Sequence, residues 1–124
     1  MNADLAEALR AGADGIGALQ AGTGLLIDHA TFLDRQDFTS RFVWQAVSAS
    51  DGVTAVASID WQAAITALDT GGLACSGGER RMLKLAASLA DGIPVDLRDT
   101  VTGLDQRNMS LLVSAILRAS GRHR

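Results

Sequence analysis

The sequence predicts an all-α fold: a single compact domain over residues 1–124, built as a bundle of about five helices. Three observations predict it. Apolar residues recur at i, i+3, i+4 and i+7 in several separate stretches, the spacing of one helix face. Those stretches are preceded by Ser, Asp or Asn and followed by glycine, the usual start and stop residues. Aromatic residues make up only 4% of a chain that is 48% hydrophobic, so the core is aliphatic and alanine-rich and allows helices to approach closely.

Taken in order, Leu5, Ala6 and Leu9 give a first helix within Met1–Ala11, with Asn2 as its cap. Gly12, Gly15 and Gly17 form a hinge, since each interior glycine costs a helix roughly 1 kcal/mol against alanine. Ile16, Leu19, Thr23, Leu26 and Ala30 then predict a helix near 16–29. Gly22 and Gly24 lie inside it, either to admit a close neighbour or to let the segment fray. Asp34 as cap, Asp37 three residues on, and a Leu33–Phe38 staple start the next helix. Phe38, Phe42, Val43, Ala46 and Val47 share its face, and Asp51-Gly52 ends it. Val53 to Ser58 alternates weakly and reads as loop.

Asp60 caps a helix whose face is Trp61, Ala64, Ile65 and Leu68, stopped by Gly71-Gly72. The clearest helix covers 77–90. Ser76 and Glu79 fit a capping box, in which serine accepts from the third backbone N–H and glutamate reaches back to the serine's own. Met82, Leu85, Ala86 and Leu89 form the apolar face; Gly92 and Pro94 end the element. Asp96 starts at most two turns before Gly103, and Asp105 caps a last helix over 106–119, followed by a basic tail, Arg122-His123-Arg124. Helices 77–90 and 106–119 are expected to be the central pair, with Leu85, Leu89, Leu112 and Ile116 buried between them.

Two resemblances arise from these residues. Ser76-Gly77-Gly78-Glu79-Arg80-Arg81 resembles the signature sequence of ABC-type ATPases, and Val101-Thr102-Gly103-Leu104-Asp105 resembles their D-loop at a similar spacing. The resemblance implies a helix N-terminus that faces the γ-phosphate of ATP held by a partner domain. It does not extend to a G-x-x-x-x-G-K-[ST] phosphate loop: the sole lysine is Lys84, and Arg98 stands at the Walker B aspartate position, with Asp99 at that of the catalytic glutamate. The chain as a whole, with one lysine and many Ala, Gly and Asp residues, resembles small helical proteins encoded in actinobacterial genomes, which implies no activity.

The remaining chemistry is sparse. A net charge of −3 argues against a general attraction to nucleic acid or anionic membrane. No apolar run reaches the ~18 residues of a membrane span, and no basic segment precedes an apolar run as in a secretory signal. A lone cysteine, Cys75, suits a reducing cytoplasm; it reads as a small half-buried residue or as a thiol near a helix N-terminus. His29 beside Asp28 could form an acid–base pair, but adjacent helical residues do not face each other, so interaction with the helix C-terminus is the plainer reading. His29, His123 and Cys75 lack metal-site spacing. Asp96, Asp99 and Asp105 could bind Mg²⁺ or do proton transfer; the plainer reading has two of them as caps and Asp99 at the third position of its own helix start. Arg80, Arg81 and Lys84 could contact phosphate with the free N–H groups of Gly77 and Gly78, or form a solvated basic face. A helix-turn-helix over 77–103 is argued against by the short second helix and by Asp96 and Asp99 on it.

The sequence thus predicts a non-enzymatic, cytoplasmic protein-interaction module without cofactor or metal, binding a protein partner or its own copy. The alternative is a phosphate- or nucleotide-responsive module using Ser76, Gly77, Gly78, Arg80 and Arg81, with a partner ATPase.

Overall fold

In the computed structural model, which describes residues 3–121, one helix is buried between its neighbours. The order is α1 (Ala3–Gly12), α2 (Gly17–His29), α3 (Gln36–Phe42), β1 (Val43–Val47), β2 (Ala55–Ile59), α4 (Trp61–Asp69), α5 (Gly77–Asp91), α6 (Leu97–Val101) and α7 (Gln106–Ala119). The Asn2 cap and the Arg122-His123-Arg124 tail lie outside the described residues.

Helix α2 is the axis. Every residue from Ala21 to Ile27 is buried, on all sides of the helix. A helix apolar all round belongs inside rather than on a surface. Helices α5 and α7 each pack chiefly on α2 and only lightly on one another. The expected central pair of 77–90 and 106–119 is therefore corrected to a three-helix arrangement with α2 between them. Leu85 and Leu112 are buried as expected, but Leu89 is only partly buried and Ile116 is 47% exposed. Gly22 decides the packing distance: a Cβ there would come within 2.6 Å of the Ala90 backbone nitrogen on α5. At Gly24 the space a side chain would need is filled by the movable guanidinium of Arg118 from α7. Glycines that weaken α2 as an isolated helix thus admit its neighbours.

The fold is not purely helical. Among the described residues there are seven helices and a two-stranded antiparallel sheet, against the expected all-α bundle of about five. Val43 pairs with Ile59 and Val47 with Ala55. The predicted helix starting at Asp34 instead starts after Arg35, ends at Phe42, and gives way to β1; the predicted loop 53–58 contains most of β2. Val43, Trp44 and Val47 are β-branched or aromatic and favour a pleated, half-buried surface. The Asp51 carboxylate fixes the connecting turn by accepting from the N–H groups of Val53 (2.8 Å) and Thr54 (2.9 Å) and from the Thr54 hydroxyl. These bonds lower its pKa to about 2. Helix α1 packs along β2 on the side away from β1, where a side chain at Gly12 would overlap the Ala57 carbonyl. The buried apolar residues of helices and hairpin join in one cluster, which includes Phe32, Phe38 and Phe42.

Candidate functional site

The helix start at Ser76 forms as the sequence predicts. Glu79 N–H donates to Ser76 Oγ at 3.2 Å, and Ser76 N–H donates to Glu79 Oε1 at 2.7 Å. The second bond, first among several causes, holds the Glu79 carboxyl below its usual pKa. The N–H groups of Gly77 and Gly78 have no carbonyl to pair with inside the helix.

The basic residues behind this start divide in their employment. Arg80 donates to the Leu68 carbonyl at 3.1 Å and to Asp69 Oδ1 at 3.2 Å, tying α5 to the C-terminus of α4. Lys84 lies 3.6 Å from the same Asp69 oxygen. Arg81 differs: its guanidinium lies against Gly77 and Gly103, where a side chain on Gly103 would collide with it. It therefore joins the two stretches that resemble the ATPase signature and D-loop. Gly77, Arg80, Arg81, Lys84, Asp99 and Thr100 line an open groove of about 260 Å³. The groove collects charges of both signs, unlike a dedicated phosphate cradle.

The acidic trio is dispersed into local roles. Asp96 accepts from Asp99 N–H at 3.3 Å, and Asp105 accepts from Asn108 N–H at 2.8 Å, capping α6 and α7. Asp99 is exposed at the groove. Among the described residues no three His, Cys, Asp or Glu side chains gather as a metal site would require. Cys75 is half-buried, and burial, then Glu79, pushes its thiol pKa up. That is the opposite of an activated thiol.

His29 and Asp28 point to different neighbours. Asp28 lies 3.7 Å from both Arg10 and Arg118. His29 is buried beside Phe32, and its Nδ1 has no hydrogen-bond partner among the described residues. Burial, followed by Arg107, lowers its pKa, against smaller opposing pulls from Glu79 and Asp105. Ala30 follows with φ 73° and ψ −35°, and Thr31 N–H closes a tight turn on the His29 carbonyl at 2.9 Å. A positive φ at a non-glycine residue is uncommon and mildly strained.

The surface that sequence reasoning missed is the hairpin. Trp44 is 66% exposed and Val47 58% exposed. Trp44 and Ala46 share the outer face of the sheet with Val56 and Ser58, while Val43, Gln45 and Val47 share the other with Ala55, Ala57 and Ile59. The hydrogen-bond phase of the ladder is set by Ser48 N–H donating to Thr54 O and Asp60 N–H donating to Phe42 O, both at 2.8 Å. Even-numbered residues of β1 therefore direct their backbone groups to β2. Val43, Gln45 and Val47 direct theirs to the open edge, except that the Val43 N–H closes α3 on the Thr39 carbonyl. From Val43 to Ser50 there is no charged residue and no proline. Natural edge strands usually carry one or the other as a guard.

Among the described residues no helix is long and apolar enough to cross a membrane. No protein-family model, curated protein or solved structure matches the chain.

Proposed function

We propose that this chain is a non-enzymatic, cytoplasmic protein-interaction module whose contact surface is the free edge and outer face of the β1–β2 hairpin. The observation that carries the reading is an unguarded, uncharged edge strand bearing Trp44 at 66% exposure. Open backbone groups offer strand addition, in which main-chain bonds give affinity and alternate side chains give selectivity. Tryptophan is among the residues most often found at the energetic centre of interfaces. A photo-crosslinking amino acid at position 44, used in cells, is expected to give adducts that the same probe at exposed Gln62 on α4 does not. Equal labelling from both positions, or none from 44, overturns the reading.

A second reading is a phosphate- or nucleotide-responsive module acting with a partner ATPase. It is supported by Arg81, which has no hydrogen bond or ion pair among the described residues and lies between Gly77 and Gly103. An exposed helix N-terminus contributes only about 0.3–1 kcal/mol to anion binding. Arg80 and Lys84 are already held by Asp69. The primary reading therefore expects millimolar affinity for Mg-ATP at best. Micromolar affinity in isothermal titration, lost in Ser76→Ala/Arg81→Ala, would favour the second.

A further inference from the structure

We infer that the occupant of the β1 edge is a second copy of this chain, paired antiparallel about a two-fold axis through Gln45. The inference rests on the interaction-module reading and names its partner. A two-fold axis between identical antiparallel strands must relate a residue to itself or a gap to itself. Where it passes through a residue whose backbone groups face outward, that residue exchanges both hydrogen bonds with its copy. Val43, Gln45 and Val47 face outward, and Gln45 is the middle one. Centring there uses the outward groups of Gln45, the Val47 N–H and the Val43 carbonyl. Each Gln45 then exchanges N–H and carbonyl bonds with the other. Each Val47 N–H meets the carbonyl of Val43 in the second copy. The Val43 N–H, already committed to Thr39, is not needed for these bonds.

The side chains agree with this register. Val-Trp-Gln-Ala-Val reads nearly the same from either end in its apolar pattern. Val43 would stand opposite Val47 of the second copy, and Trp44 opposite Ala46. The two tryptophans become diagonal neighbours, roughly 7–8 Å apart and within reach of aromatic side chains. Gln45 would face Gln45, and an amide carries both donor and acceptor, so it complements itself. Charge agrees as well. The nearest charged residues are Arg41 before the strand and Asp51 after it. Arg41 is held by the Gly72 carbonyl and Asp51 by the turn it closes, so no free charge of either sign opposes pairing along this stretch. Such a short strand makes a small interface, at the weak end of specific association.

Sedimentation equilibrium of the full chain across the micromolar range tests this. The unaltered chain is expected to pass from monomer to dimer as concentration rises. Gln45→Lys and Gln45→Glu each place like charges across the axis and should weaken the dimer by ~10-fold or more. Mixing the two variants in equal amounts should restore it, which a misfolded variant could not do. Gln45→Pro, which removes an outward N–H where an edge strand tolerates proline, should also leave a folded monomer. A monomer at all concentrations, a dimer indifferent to Gln45→Lys, or a mixture no tighter than its components overturns the inference. If the chain is monomeric yet position 44 still crosslinks to other proteins in cells, the interaction-module reading survives and self-pairing fails. If position 44 crosslinks to nothing, both fail.

Discussion

The helices around α2 and the β1–β2 hairpin solve the same problem to different degrees. In the helical body most apolar side chains around α2 are covered: Leu26 and Met82 are fully buried and Gly22 lets α2 and α5 close together, while Val113 and Ile116 of α7 stay exposed. In the hairpin one strand is covered and the other is not. Ala57 and Ile59 of β2 are buried, and α1 packs along that strand, while the β1 residues after Val43 remain exposed. The apolar content of β1 does little for the stability of this chain alone, because burial rather than composition supplies the hydrophobic contribution. The difference separates residues that folding buries from residues that folding leaves exposed.

That contrast can be broken most forcefully in the body. Leu26→Ala should destabilise the chain by ~2–5 kcal/mol in urea denaturation, the usual range for truncating a buried leucine. A loss close to zero would mean that α2 is not the axis. Ser76→Ala should cost ~0.5–2 kcal/mol through loss of the cap. An unchanged stability with a lost ligand would instead move Ser76 to the functional side of the comparison.

Smaller effects sharpen the boundary. His29 has a folded-state pKa below its ordinary 6.5, so the unfolded chain takes up the proton first as pH falls. Its contribution is therefore complete above pH 6.5 and declines as pH drops from there toward the folded value. Thermal unfolding followed over this window should show stability rising with pH, and His29→Leu should flatten that slope. Trp44→Ser should change monomer stability least, by less than about 0.5 kcal/mol, as for surface positions without special roles. A loss as large as that for Leu26→Ala would place the hairpin face in the core and end the comparison.

Legibility in the sequence divided along the same line. The caps at Asp60, Ser76, Asp96 and Asp105 were all readable, because capping is a local bond between a side chain and a backbone N–H three residues away. The hairpin was not, because Phe38, Phe42, Val43, Ala46 and Val47 also fit a helix face and the deciding partner, β2, lies beyond the turn. Asp51-Gly52 is as much a hairpin turn signal as a helix stop, and Gly52 does adopt φ 68°. The central position of α2 was hidden for a related reason. An all-round apolar helix has no preferred face to detect, and the sequence left its glycines open between close packing and fraying; Ala86 and Ala90 opposite Gly22 decide for packing there. At the candidate helix start, residue types were visible from sequence, but the capture of Arg80 by Leu68 and Asp69 depended on where α4 would lie.

Burial of α2 from both sides also has a consequence for synthesis. Its partners α5 and α7 are encoded far downstream, so α2 leaves the ribosome long before the surfaces that cover it exist. At typical translation rates of roughly 5–20 residues per second, the interval before α7 is complete is on the order of ten seconds. Throughout that interval a glycine-interrupted apolar segment has little helical tendency to hide its side chains. Nascent chains halted before α7 should therefore be the form most readily bound by chaperones that recognise exposed aliphatic stretches, and release should coincide with emergence of the final helix.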